Sequence, residues 1–463
     1  MAGQKSIRMT EGNIWKQILL FAAPLLVGNL FQQLYNTVDS IVVGNFVGEN
    51  ALAAVGSSNS LISLIVGVFM GLATGSGVII SQYYGGKRKE ELERSMHTAV
   101  ALGMIAGLAL IFIGIGVSGP ILKLMGTPEK VLPSSILYFR IYFAGAFFNL
   151  TYNMCAGILQ AVGDSKSPLR YLMISSVTNV ILDLLFVIVF HWGVAGVGIA
   201  TITAQAVAMV LALLKLGGRS LSGKKRPQEF RLELGKLRVD KNMAKKILLY
   251  GIPSGLQMAI ISLSNVVIQS NINSFGELAM AGCASYGKID GFIMMPIMSF
   301  NMASMTFTGQ NVGAGNVKRA KKGILSACIL GGIYSALAGG ALLLAGQSLL
   351  SIFTGKTDVV EYGMVMLRML APYYALIGVS HIVCGGLRGA GKTMTSMVIL
   401  VLNLCVFRMI WVYFAVPVAP RLETVLMGYP LTWVTCFLCS VGYLWKGRWI
   451  VSAQEEHTKS AQY

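Results

Sequence analysis

Long apolar stretches separated by short polar turns recur along the whole chain. Segments of membrane-spanning length cover 16–42, 52–82, 95–118, 134–160, 168–190, 194–216, 245–273, 279–309, 323–349, 362–387, 395–417 and 426–445. Each meets the roughly 20 residues that a bilayer core demands. They lack the ten-residue alternation of an outer-membrane barrel, so helices, which satisfy their own backbone groups in lipid, are the expected element. The pattern therefore predicts an all-α integral membrane protein of twelve transmembrane helices. Its longest polar interruption, 217–246, is rich in Lys and Arg and divides the helices six and six. The expected organisation is an N-terminal lobe over 1–216, a basic cytoplasmic linker over 217–244, a C-terminal lobe over 245–446 and a cytoplasmic tail over 447–463.

The two halves repeat at an offset of 228 residues: Gln82 and Gly85 meet Gln310 and Gly313, Arg140 meets Arg368, Gly157 and Leu159 meet Gly385 and Leu387, and Gly163 meets Gly391. G-E-N-A-L-A at 48–53 meets G-E-L-A-M-A at 276–281, while Pro24 and Pro253 correspond with a slip of one residue. A constant offset over most of a half marks internal duplication. Each half has an even number of spans, so the lobes are expected to be parallel repeats related by a pseudo-two-fold axis along the membrane normal. Secondary transporters that rock between inward and outward states are commonly built this way.

Composition sharpens the class. The chain is 55% hydrophobic and only 12% charged, with mean hydropathy +0.67, far from the quarter charged of a soluble domain. The net charge of +18 raises nucleic acid as a partner, but its placement argues against one. Lys and Arg concentrate in the N-terminal tail, the even-numbered loops and the C-terminal tail, and only Lys123, Lys130, Lys356 and Arg421 fall in outward loops. That asymmetry puts both termini in the cytoplasm. The first segment is too long, and lacks the small-residue cleavage site, for a removable signal peptide. All seven cysteines lie in apolar segments, including the Cys436 and Cys439 pair, where packing is the expected role. Gly85-Gly86-Lys87 and Gly391-Lys392-Thr393 lack the glycine and strand context of a phosphate loop, which removes ATP as the driving force.

Only Asp39, Asp183 and Asp290 place a carboxylate well inside a span, where one charged side chain costs about 2.5 to 3.5 kcal/mol on insertion scales. Asn179 precedes Asp183 by one helical turn; Tyr35 and Asn36 stand in the same relation to Asp39. Helix six adds Thr201 and Thr203 from a glycine-rich start. Two acids, two amides, a phenol and hydroxyls suit a cation. Burial and a neighbouring acid both disfavour the charged form of a carboxylate, so the pair can exchange protons near neutral pH; the same oxygens can ligate sodium. A polar network that merely satisfies itself between helices is the competing reading. Pro24, inside helix one, is expected to bend it.

The second half differs, because the offset puts Ile268 and Trp411 where the first half has Asp39 and Asp183. It offers Lys288, Asp290 and Arg408 instead, and Asp290 is expected to pair with Lys288 or Arg408, as a structural neutralising pair or as part of the substrate path. Arg140 and Arg368 read as interfacial arginines that snorkel. Met294, Met295, Met298, Met302 and Met305 read as core packing, with a flexible apolar cavity wall as the alternative.

Pro24, N-T-V-D at 36–39, G-x-x-x-G-E-N-A-L-A-A-V-G at 44–56, L-Q-A-V-G-D at 159–164, Asn179 with Asp183, G-V-x-G-V-G-I-A-T at 193–201 and G-Q-N-V-G-A-G-N at 309–316 together resemble the multidrug and toxic compound extrusion (MATE) family. The resemblance implies a non-enzymatic antiporter, without cofactor, that exports cationic or amphipathic organic compounds against H+ or Na+. It implies a coupling site of Asp39, Asn179, Asp183, Thr201 and the Val197 carbonyl, four of which (Asp39, Asn179, Asp183 and Thr201) would hold Na+. It also links Pro24 and Tyr35 to bending of helix one. Family members with a sodium-binding acid on helix seven have Glu where this chain has Ile, Ser, Leu and Asn through 260–265, so coupling is expected in the N-terminal lobe. A monomer in the inner membrane follows as the expected state. A lipid-linked oligosaccharide flippase of the same superfamily and a non-transporting receptor or scaffold are the alternatives.

Overall fold

Every regular element among the described residues is a helix. The structure, a computed structural model, describes residues 7–218, 230–447 and 449, apart from the side chains at 49, 50, 52, 57, 59 and 60. Glu49 and Asn50 of the turn motif, Arg219, Lys224, Lys225 and Arg226 of the linker and nearly all of the tail therefore lie outside the described side chains. Among the described residues twelve helical rods follow one another: α1 (Ile14–Val42, continued by a π-helical segment Val43–Val47), α2 (Glu49–Gly85), α3 (Lys89–Leu124) and α4 (Leu132–Ala144 and Ala146–Ala161). Then come α5 (Lys166–Asp183 with π-helical Leu184–Val189), α6 (Gly193–Leu216), α7 (Lys241–Asn273), α8 (Glu277–Gly313) and α9 (Val317–Ser351). The series closes with α10 (Thr357–Gly389), α11 (Thr393–Val418) and α12 (Leu422–Trp445). Ten of the rods are long and apolar enough by themselves to cross a membrane. The other two are α4, interrupted at Gly145, and α8, which carries Lys288 and Asp290. Large apolar side chains such as Phe112 (77%), Leu344 (92%) and Phe414 (67%) are exposed on the outside of the rods, as lipid-facing surface requires.

The internal duplication is written into the backbone. Left-handed conformations recur at the same offset: Gly48 (φ 112°) with Gly276 (95°), Lys87 (55°) with Gly315 (74°), and Gly163 (86°) with Gly391 (83°). The helix ends repeat bond for bond. Lys87 N–H reaches Tyr84 O and Arg88 N–H reaches Tyr83 O, as Gly315 reaches Val312 and Asn316 reaches Asn311. The break of α4 at Gly145 is matched in α10 by the 3₁₀ turn Ala371–Tyr373. Local chain reversals thus follow the sequence repeat, whether the residue is glycine or, at position 87, lysine.

The chain forms two units whose limits fall inside helices and not at the 217–244 linker. One unit holds Pro24–Gly255 with the described residues before Met9; the other holds Met9–Ala23 with those from Leu256 onward. The paired prolines Pro24 and Pro253 therefore mark where each lobe-opening helix changes unit. In the second unit the Gln-Asn of G-Q-N-V-G binds the chain start: Met9 N–H donates to Gln310 Oε1 (3.1 Å), and Asn311 Nδ2 donates to Met9 O (3.0 Å). Arg319 caps the carbonyls of Glu11 and Gly12 at 2.9 and 2.8 Å. In the first unit, the latter part of the linker is packed against the helices. Phe230 stacks edge-on to Tyr84, Leu232 N–H bonds Leu216 O, and Glu233 N–H bonds His97 Nε2.

Within the first unit, α2 and the opening of α7 touch backbone to backbone. A Cβ on Gly71 would collide with the backbone of Gly251 and Gly255, and one on Gly75 with Ile247 O and Gly251 N, each at 2.5 Å. Small residues four apart are what permits such a crossing in lipid.

Candidate functional site

The first unit gathers the acids of the two candidate helices. Asp39 sits half-buried on α1, and Asp183, fully buried, ends the α-helical part of α5. Asp39 lies about a turn before the π-helical segment Val43–Val47 and Asp183 directly precedes Leu184–Val189, and the two segments touch. Such segments widen the hydrogen-bond ladder and frequently occur at functional positions. The Asp39 and Asp183 carboxyl groups are neighbours that interact with each other. No donor satisfies Asp39 Oδ1 or either Asp183 oxygen, and Asn179, 1% exposed, leaves both Oδ1 and Nδ2 unpartnered. A buried polar atom without a partner is costly and uncommon. This concentration of unfilled oxygen lone pairs has the chemistry of a cation acceptor.

Thr201 and Val197 lie on the facing turns of α6, both buried, and the Thr201 hydroxyl donates to Val197 O at 3.0 Å. That bond leaves the lone pairs of Thr201 Oγ1 available while it engages the Val197 carbonyl. Ser175 Oγ donates to Ala204 O at 2.8 Å and fixes α5 against α6.

A polar cavity of about 60 Å³ lies beside the acids, with Tyr35, Asn179 and Thr201 in its wall. The remaining polar wall comes from Gln32, Asn149, Tyr152, Asn153, Ser175, Ser176 and Gln205, and no Lys or Arg is among its lining residues. That volume admits a few waters or a polar portion of a larger molecule. Gln205 Oε1 is a further buried acceptor without a partner. Tyr138, 4% exposed, feels the charge of both carboxyl groups, and its ring centroid lies 6.4 Å from that of Tyr142.

Of the residues singled out in the sequence, Asp39, Asn179, Asp183, Thr201, Val197 and Tyr35 come together. Asn36 and Thr203 do not line the cavity: Asn36 is exposed, and the Thr203 hydroxyl donates to Ile199 O of its own helix at 2.7 Å. Pro24 lies inside the continuous helix Ile14–Val42, at the unit limit. The amides and phenols of α4 and Gln205 were missed in the sequence. Their signal was helical spacing, with Asn149 and Asn153, Tyr138 and Tyr142, and Thr201 and Gln205 each four apart.

In the second unit the expected ion pair does not form. Tyr374 donates its phenol to Asp290 Oδ1, while Lys288 is exposed and lies 5.3 Å from the Phe353 ring centroid. Arg408 is 4% exposed, stacks 4.2 Å from the Tyr429 centroid and donates to Thr432 Oγ1 at 3.2 Å. Neutral aromatic partners occupy both groups before either can reach the other.

A polytopic helical protein built twice over, with unfilled acidic oxygens beside a polar cavity, has the architecture of a small-molecule transporter. The MatE family profile matches residues 24–185 and again residues 253–414, one match per repeat, and the chain belongs to this family of multidrug and toxic compound extrusion transporters. The probable multidrug resistance protein YpnP of Bacillus subtilis is 31% identical over 405 residues, covering 87% of this chain and 88% of that protein. YoeA, a second probable multidrug resistance protein of Bacillus subtilis, is 28% identical over 462 residues, 96% of each chain. The outward-facing structure of a multidrug resistance MATE family transporter shares the fold at a TM-score of 0.88 and 23% identity, over 98% of this chain and all of that one.

Proposed function

We propose that the protein exports cationic or amphipathic organic compounds across the inner membrane in exchange for H+ or Na+, as a monomer with both termini cytoplasmic. The observation that carries this reading is the set of unpartnered oxygens of Asp39, Asp183 and Asn179 beside the cavity. Empty, two ionised carboxyl groups in a low-dielectric interior repel each other and lack hydration, which is a costly state. Either protons or a sodium ion at the pair, or a positively charged group of the cargo near it, relieves that cost. Only loaded forms then interconvert easily by alternating access, and competition for one acidic pair produces exchange. Asp39 and Asp183 are the coupling carboxyls, with Asn179, Thr201 and Val197 shaping the site; Pro24 and Tyr35 transmit its occupancy along α1. The absence of Lys and Arg from the cavity lining favours this cargo class over a phosphate-bearing lipid.

The test is export of ethidium from vesicles under an imposed pH or Na+ gradient. Gradient-dependent export by the wild type, lost in both Asp39→Asn and Asp183→Asn, supports the assignment; wild-type export by both variants rejects it.

A further inference from the structure

Asp290 is the second unit's acid within a span, and its surroundings differ in kind from those of Asp39 and Asp183. Tyr374 donates to Asp290 Oδ1. Tyr286 Oη lies 2.6 Å from Tyr374 Oη, which extends the contact into a phenol–phenol–carboxyl chain. Tyr286 and Tyr374 are 1% and 0% exposed, whereas Asp290 is partly accessible. One end of the chain is therefore sealed and the other can meet water. Packing of Tyr374 against Trp433, with ring centroids 5.5 Å apart, holds its phenol in place.

The groups facing this chain supply no countercharge at close range. Cys283 and Lys288 lie on the same helix, Arg408 on α11 and Tyr429 on α12. Lys288 is directed to Phe353 and Arg408 to Tyr429 and Thr432. Among the described residues no ion pair includes Asp290.

We propose that Asp290 is a second proton-carrying group, separate from the cation-accepting pair of the first unit, with Tyr374 and Tyr286 as the hydrogen-bonded residues that position it. The distinction rests on donor direction. Asp39 Oδ1 and both Asp183 oxygens have no donor and can accept a metal ion or a proton. At Asp290 a phenol O–H already occupies Oδ1, and a second phenol supports the first. When the carboxyl is ionised, Tyr286 donates to Tyr374 and Tyr374 to Asp290. When a hydronium ion meets the accessible oxygen, one of its O–H bonds breaks as the carboxyl O–H bond forms, a water molecule leaves, the carboxyl becomes neutral, and the phenols keep their own protons. Loss of that proton to water reverses the step.

This proposal rests on the reading of the protein as a cation-coupled exporter, so two measurements on the full-length protein separate the two ideas. The first follows the carboxyl C=O infrared band of the purified D39N/D183N variant against pH. The difference between the spectra of D39N/D183N with and without Asp290→Asn is expected to hold one titrating band, which should be unmoved by Na+, return with Asp290→Glu and shift its midpoint with Tyr374→Phe. The second measures the ethidium gradient sustained by proteoliposomes at a pH difference of one unit. Loss of one coupled proton in Asp290→Asn should lower that gradient about tenfold. No titrating band in that difference spectrum, a difference band that responds to Na+, or an unchanged ethidium gradient overturns the proposal. If the wild type moves no ethidium under any gradient, the exporter reading fails, while the infrared titration still decides whether Asp290 carries a proton.

Discussion

Asp39 and Asp183 are stabilised by nothing the protein itself donates to Asp39 Oδ1 and the two Asp183 oxygens. Replacing either with Asn removes charge but keeps shape, so folded yield should hold while gradient-driven ethidium export falls at least tenfold; normal export with normal folding would contradict this. Asn179→Leu should weaken Na+ or proton dependence in the same assay, because it removes the amide whose two polar atoms are both buried and unpartnered. Unchanged ion dependence would show that the amide has no part in the site. These acids were legible in the sequence because a charge in a hydrocarbon-length segment is expensive enough to need a reason. Tyr138, Asn149 and Gln205 were not, since phenols and amides are tolerated on many helix faces and only the fold reveals which face meets the acids. Asp290 was misjudged for a related reason: matching charge with charge overlooks a phenol, which offers a hydrogen bond without the desolvation cost of a second ion.

At the scale of elements, the duplication makes opposite predictions at equivalent turns. Lys87 holds φ 55° where its counterpart Gly315 holds 74°. A side chain in the left-handed region costs about 1 kcal/mol or more, partly offset by the greater entropy glycine loses on folding. Lys87→Gly should therefore raise the thermal midpoint of detergent-solubilised protein slightly, and Gly315→Lys should lower it; the reverse order would show that other contacts govern these turns. Gly71→Leu is a stronger test, since its side chain meets the α7 backbone. Overpacking of this kind costs about 1 to 3 kcal/mol or more, so a lower midpoint and reduced yield are expected, and wild-type stability would show that the helices can separate. Helix number and the glycine turns could be read from apolar length and repeated residues. The π-helical segments beside both acids could not, because one extra residue in a turn leaves no distinctive composition.

For the whole molecule, the repeat in the residues, the repeated family match and the repeated backbone turns agree. The linker separates the two repeats along the chain, and the compact units additionally exchange short pieces of the two lobe-opening helices at Pro24 and Gly255. Polarity marks where a chain leaves the membrane; it does not say which helices pack together. The duplicated scaffold also carries unequal chemistry. The first unit presents unfilled acidic oxygens, and the second presents an acid already held by phenols. The coupling role of the first-unit pair is the central claim, and the direct measurement is ion flux in proteoliposomes during addition of ethidium, with H+ and Na+ gradients imposed one at a time. The wild type should show substrate-induced alkalinisation or Na+ movement that Asp39→Asn and Asp183→Asn each abolish; an equal flux in wild type and variants, or ethidium movement with no ion flux at all, would contradict it.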